Sequence, residues 1–418
     1  MSGEAPILDA FARAVPGFSA AVTAAGFKKS SKDDLALIYA PAGACVAATF
    51  TQSNVVAAPV VVSREHAARG EAVACIINAG NANACTGSHG MTVARKTCAA
   101  LADALDVTPE EVLVASTGVI GVPFDAAQIT DKIPQLLEQL DSGEAALEAV
   151  ARAIMTTDTV PKTASAVVEV GGTDGTDGAE KTTYTVTGIA KGSGMIAPNM
   201  ATMIGCVLTD APLTQEACAE IWHEAVAQSF NCVTVDGDTS TNDTAVLMSS
   251  GVNLGHAPID SVTDAAAYAA LKKAITAVCT TLAHAIVRDG EGATKFVTVT
   301  VTGAPSDTDA RTVARTIADS PLVKTALFGN DANWGRVAAA AGRAGVAFDP
   351  CKLSISFAGI EVCSHGSAVV FDEKAAAAAL ARPEIELTVD IGAGEGSAQI
   401  WTCDLSYDYI KINGEYRN

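Results

Sequence analysis

Residues 191–210 read KGSGMIAPNMATMIGCVLTD, and the rest of the chain is ordered around them. Gly192 and Gly194 alternate, Pro198 and Asn199 follow, and Ala201-Thr202 stands at the head of an apolar run ending at Leu208. Glycine reaches positive φ freely and proline fixes φ, so the backbone is set for an irregular path that becomes a strand after Thr202. A threonine there can be an N-cap or a strand start. It can also be a nucleophile: once the peptide bond before it is cut, its own α-amine, titrating near ~8, is a usable general base at neutral pH.

Upstream of this stretch, 164–170 and 183–189 read as paired strands around an acidic surface loop, 171–181. Lys191 closes that hairpin. A lysine after a strand is ordinarily solvated, but beside a nucleophile in an acidic chain it is a candidate for a substrate carboxylate. Further back, 35–39, 45–50, 55–62 and 73–78 have strand length and β-branched content. NAGNANACTG (78–87) then leads into a helix over 91–105; a polar loop at a helix start gathers backbone N–H groups, but as a generic glycine loop it is better read as a structural turn. The run EVLVA (111–115) predicts a buried strand ending at Ser116-Thr117-Gly118, the composition an oxyanion hole needs at a strand terminus. Two helical segments, with Leu136, Leu137 and Leu140 and then Ala146, Leu147, Val150 and Ile154, run out at Thr156-Thr157-Asp158-Thr159 before Val160-Pro161. The hydroxyls at that helix end can cap carbonyls.

Downstream, Thr214 starts a helix with Ile221, Trp222, Ala225 and Val226 on one face. VDGDTSTND (235–243) is compared with a calcium loop but lacks the residue order and closing glutamate of an EF-hand. Leu271, Ile275, Val278, Leu282 and Ile286 mark one long amphipathic helix over 264–288. It stops at Asp289-Gly290-Glu291-Gly292, and the strand 295–301 follows. Glu291, between glycines, is not a helix-surface charge. FGNDANWGR (328–336) reads as a structural loop before a helix over 337–342. Asp372 caps a helix over 373–382, and strands at 385–391, 397–403 and 407–412 finish the chain.

The formal net charge of −20 disfavours nucleic-acid binding. Eleven cysteines without a CxxC pair read as buried packing thiols of a reducing cytoplasm. The six histidines are dispersed, so local spacing supports neither a metal cluster nor a Ser-His-Asp triad. No signal or transit peptide and no uncharged run of membrane-spanning length is legible.

The stretch at 191–210, with STGVIG (116–121), IMTTDT (154–159) and its following Pro161-Lys162, VDGDTSTND, RDGEGATK (288–295), FGNDANWGR and YIKINGEYRN (409–418), resembles the ornithine acetyltransferase family, also called glutamate N-acetyltransferase. The segments run in the family's order over nearly the whole chain. The resemblance implies an α/β fold, layered with mixed sheets between helices. It implies self-cleavage between Ala201 and Thr202 into an α chain (1–201) and a β chain (202–418), which assemble as a heterotetramer of two of each. Thr202 is then the nucleophile and Thr117 and Gly118 the oxyanion hole. Thr156 (with Thr157 as its competitor), Lys191, Glu291, Asn413 and the terminal Asn418 bind substrate. The family usually ends in Ser or Thr five positions after that asparagine, so Asn418 is a departure. The implied reaction moves acetyl from N-acetylornithine to glutamate in the cytoplasm, in arginine biosynthesis, without metal or organic cofactor; whether acetyl-CoA also serves is left open. The rival readings are a self-cleaving hydrolase or aminopeptidase of related architecture, and an uncut amino-acid-binding protein.

Overall fold

A computed structural model describes residues 8–29, 31–171, 182–197, 203–251 and 254–415. The acidic loop at 172–181, Ala201, Thr202 and Asn418 lie outside the described residues. The chain divides into two compact units, one comprising Met1–Gly192, Pro198–Asn231 and Thr239–Ala283, the other Ser193–Ala197, Cys232–Asp238 and His284–Asn418.

The elements in the first unit are β1 (Leu8–Asp9), β2 (Ser19–Thr23), β3 (Leu35–Phe50), α1 (Ala58–Ala67), β4 (Glu71–Asn81), α2 (Gly87–Leu105), β5 (Val112–Val119), α3 (Ala127–Thr130), α4 (Ile133–Glu138), α5 (Glu144–Ala153), β6 (Lys162–Val170), β7 (Thr182–Lys191), β8 (Ile204–Thr209), α6 (Gln215–Gln228) and β9 (Thr244–Ser249), after which α7 (Ala265–Arg288) begins. Its nine described strands form one mixed sheet in the order β1-β6-β7-β8-β9-β3-β4-β5, with β2 also paired to β3. Alternate residues of β4 serve opposite cores. Cys75 and Ile77 pack with Leu147, Val150 and Ile154 on one face, while Ala74 and Ile76 pack with Cys98 and Leu101 of α2 on the other. A sheet covered on both faces explains why these strands read as unbroken apolar runs rather than alternating ones. The predicted long helix is α7, with Leu271, Ile275, Val278, Leu282 and Ile286 fully buried. It is long and apolar enough to cross a membrane by length and composition, but these burials are those of a core helix.

In the second unit, β10 (Phe296–Ala304), α8 (Asp307–Ala318), α9 (Pro321–Phe328), α10 (Trp334–Gly342), β11 (Ser354–Phe357), β12 (Ile360–Ser364), β13 (Ser367–Ala368), α11 (Glu373–Leu380), β14 (Glu384–Asp390), β15 (Gly396–Cys403) and α12 (Tyr407–Glu415) follow. Six described strands make a sheet ordered β13-β12-β11-β14-β10-β15, with β10 and β14 parallel and the other pairs antiparallel. Val297, Val299 and Val301 of β10 share a core with Ala310, Val313 and Ile317 of α8 and Leu327 of α9. On β14, Ile385, Leu387 and Val389 are buried and Glu384, Glu386 and Asp390 exposed. That strand therefore has one covered face.

Three expectations need correction. The segment read as a strand over 55–62 is largely α1: Pro59 sits in its first turn, where a missing N–H costs nothing, and Val60 and Val62 are buried. Valine's strand preference yields here to packing. The strand expected at 407–412 is helix α12. Its Tyr-Asp-Tyr-Ile-Lys-Ile alternation suggests a sheet, but Ser406 Oγ caps it by accepting from the Asp408 N–H at 3.2 Å, and Asn413 Nδ2 donates to the Tyr409 carbonyl one turn back at 3.1 Å. Strand β5 also continues beyond Ala115, so Thr117 and Gly118 lie within it and not after its end.

Candidate active site

In the first unit the strand registers align the residues around the quoted stretch. Lys191 of β7 pairs with Ile204 of β8, and Ile204 with Thr244 of β9. Lys191, 7 % exposed, donates from Nζ to Thr117 Oγ1 at 3.4 Å. Two candidates, 74 residues apart in the chain, are thus brought together. Because Lys191 donates to that oxygen, the Thr117 hydroxyl proton is left to be donated elsewhere, as an oxyanion donor requires.

Gly118 pairs with Gly80 of β4 at φ +130°. A Cβ at Gly118 would lie 2.2 Å from the Gly80 carbonyl carbon. Gly118→Ala is therefore expected to cost about 3 kcal/mol or more, combining left-handed strain with overpacking. Denaturant titration of the purified variant reads that cost, and a midpoint equal to wild type would contradict it.

Asp158 is the residue that sequence reading passed over in favour of its neighbouring threonines. Its side chain is fully buried and pairs with Lys162 at 2.7 Å and with Lys191 at 4.0 Å. It accepts from the Gly192 N–H at 2.6 Å and the Thr156 N–H at 3.0 Å. Burial alone would push this carboxyl up, but Lys191 and Lys162 outweigh it and hold it well below the usual carboxylate range. Asp158 thereby fixes Lys191, the backbone just after it, and Thr156 at once. A signal was present: Lys162 opens a strand of buried residues, and a lysine so placed requires a buried countercharge.

Further polar residues wire this unit without being substrate candidates. Asn242 Nδ2 donates to the Ser116 carbonyl at 2.9 Å, tying the VDGDTSTND motif to the strand that carries Thr117. The asparagines of the 78–87 loop bond local backbone: Asn81 Oδ1 accepts from the Asn83 N–H at 2.8 Å, and Asn83 Nδ2 donates to the Gly90 carbonyl at 3.0 Å. That loop is a built turn.

In the second unit Asn413 Nδ2 donates to Glu291 Oε2 at 2.8 Å, joining two other candidates that are 122 residues apart. The Glu291 N–H donates to the Ser193 carbonyl at 2.8 Å, and Ser406 Oγ donates to the Gly292 carbonyl at 2.6 Å. Asp236, another residue sequence reading left without a role, accepts from the Met195 and Ile196 N–H groups at 2.6 and 2.8 Å. Burial raises its carboxyl, those amides lower it, and the Tyr409 phenol donates to it at 3.4 Å. The motif compared with a calcium loop instead anchors the peptide 193–197. Among the described residues no group of three or more His, Cys, Asp or Glu is placed to hold a metal. All eleven cysteines are free thiols, Cys85 and Cys351 being exposed.

Gly194 leaves room for a neighbouring side chain: a Cβ there would stand 2.3 Å from the Glu291 carboxyl carbon. The carboxylate is a flexible end that can move away, so Gly194→Ala should leave the melting temperature nearly unchanged while displacing Glu291 from Asn413. Where Glu291 holds a substrate amine, as the family resemblance implies, loss of a charge-assisted contact worth ~1.5–3 kcal/mol predicts a 10- to 100-fold rise in KM for the amine-bearing substrate. Steady-state kinetics beside a thermal melt tests this, and an unchanged KM would contradict it.

The ArgJ family profile matches residues 19–418. The Arginine biosynthesis bifunctional protein ArgJ of Geobacter sulfurreducens is 45 % identical over 404 residues, covering 96 % of this chain and 99 % of that protein. This chain belongs to the ArgJ family. Two solved structures are similar as well. The Arginine biosynthesis bifunctional protein ArgJ of Bacillus halodurans is 38 % identical, with 49 % of this chain and 95 % of the solved chain covered and a TM-score of 0.47. The ornithine acetyltransferase of Mycobacterium tuberculosis, solved in complex with ornithine, is 35 % identical, with 47 % of this chain and 99 % of the solved chain covered and a TM-score of 0.41. ArgJ membership spans both units described above.

Proposed function

We propose that this chain transfers the acetyl group of N2-acetylornithine to glutamate in arginine biosynthesis, by a ping-pong reaction through an acetyl ester on Thr202. The observation that carries the reading is the contact between Lys191 and Thr117, which joins the residue before the quoted glycines to an oxyanion candidate. Self-cleavage between Ala201 and Thr202 yields the α and β chains and frees the Thr202 amine. Thr202 Oγ then attacks the acetyl carbonyl, its amine taking the hydroxyl proton. The Thr117 hydroxyl and the Gly118 N–H stabilise the oxyanion, and the departing ornithine amine takes a proton as the C–N bond breaks. Glutamate's amine attacks the ester, regenerating Thr202. Lys191 and Thr156 hold the substrate carboxylate side, and Glu291, Asn413 and Asn418 the amine side. The reaction as written uses protein groups alone. The mature enzyme is a cytoplasmic heterotetramer of two α and two β chains.

Initial rates with both substrates varied test this. Parallel double-reciprocal lines, with one equivalent of ornithine released before glutamate is added, are expected. Continuous turnover of acetylornithine without glutamate would instead make the chain a hydrolase.

A further inference from the structure

Met195 has φ +56°, in the left-handed region that residues with a Cβ enter only at a cost. Its side chain is exposed, so burial of the methionine does not account for the conformation. The backbone contacts do. Asp236 Oδ2 accepts from the Met195 N–H at 2.6 Å and Oδ1 from the Ile196 N–H at 2.8 Å. Two successive amides turned toward one anion form a nest, and the anion here is the protein's own carboxylate. Ile196 is the fixed end of this peptide: its side chain is buried, and its carbonyl accepts from the Val235 N–H at 2.6 Å. From that end, the turn at Met195 decides where Gly194 and Ser193 lie.

Both of those residues seat Glu291. The Ser193 carbonyl accepts from the Glu291 N–H at 2.8 Å, and Gly194 lies so close to the carboxylate that a Cβ there would be 2.3 Å from its carbon. Helix α12 spans the same two acids. Tyr409 donates to Asp236 Oδ2 at 3.4 Å, and Asn413, one turn on, donates to Glu291 Oε2 at 2.8 Å. We infer that Asp236 is a positioning residue for Glu291: by holding Met195 left-handed, it sets the peptide against which the amine-binding carboxylate rests. Asparagine at 236 could accept through only one of its two terminal atoms, so one amide would face an NH2 group and the turn would relax. The inference rests on the reading that Glu291 holds the substrate α-amine.

Calorimetry on the purified enzyme tests this with two probes, ornithine and 5-aminopentanoate, which is ornithine without its α-amine. Asp236→Asn is expected to weaken ornithine about 10- to 100-fold, the range for losing a charge-assisted hydrogen bond. Binding of 5-aminopentanoate should stay within about twofold. Adding Met195→Gly to Asp236→Asn should recover ornithine binding about fivefold, because glycine turns left-handed without the clamp. A general structural role would weaken both probes alike and gain nothing from the glycine, and either result overturns the inference. If Asp236→Asn fails to fold, Met195→Val decides. A β-branched residue resists the left-handed turn that Asp236 imposes, so weaker ornithine binding supports the clamp and unchanged binding overturns it. Glu291→Gln separates the two readings. Ornithine bound by it as by wild type would sink the amine role of Glu291, whereas a weakened Glu291→Gln beside an unaffected Asp236→Asn would sink the positioning role alone.

Discussion

Thr202→Ala is expected to migrate as one 418-residue chain and to lose acetyl transfer by on the order of 10⁶-fold, the scale on which a serine protease loses turnover with its nucleophile. Both effects have one cause. Alanine has no oxygen to accept the acyl group from Ala201 during processing or from acetylornithine during turnover. The wild type should give two fragments meeting at Ala201-Thr202 by mass spectrometry, and the variant one. Uniform substrate binding survives, so calorimetry should still detect acetylornithine in any variant chain that keeps its Lys191–Thr117 and Glu291–Asn413 contacts. A cut Thr202→Ala chain, or an uncut variant that retains transfer, would refute the mechanism. Thr202→Ser keeps an oxygen and should be both cut and active.

Asp158→Asn should be the most damaging substitution to stability. It leaves the fully buried Lys162 ammonium and the nearly buried Lys191 without their shared carboxylate. Removing one partner from a buried ion pair typically costs about 3–5 kcal/mol, and denaturant titration reads it directly. The pH dependence has a definite sign. Asp158's carboxyl is held below its unfolded value, which lies near ~3.9, so its contribution is fully present above about pH 4 and lost as pH falls through the folded value. Wild type and variant should therefore differ by a constant amount from pH 5 to 7 and converge only in stronger acid. A difference that shrinks toward neutral pH instead would mean that Asp158 is not an ionised partner of the two lysines. Activity should fall as well, because Asp158 also accepts from the Gly192 and Thr156 amides and so sets both flanks of Lys191.

Much of this protein is determined by its sequence alone. The apolar runs of β3, β4 and β5 are legible because a strand buried on both faces needs no polar alternation. Thr214 and Asp372 are legible as N-caps because an oxygen just before an apolar period satisfies free amides locally, and both side chains do accept from first-turn N–H groups. Thr117, Lys191, Glu291 and Asn413 could likewise be named as candidates through the family resemblance of their motifs. What only the tertiary structure decided is which groups meet. Lys191 reaches Thr117 across 74 residues and Asn413 reaches Glu291 across 122, and no local period carries such distances. Asp158 and Asp243 looked like ordinary loop carboxylates, yet the first carboxyl is held below its usual range and the second is raised above it. The difference is countercharge: two ammonium groups approach Asp158, whereas burial dominates at Asp243. The segments at 58–67 and 407–415 became helices for the same kind of reason. Short valine- and tyrosine-rich runs fit strand or helix almost equally, and the surroundings decide between them.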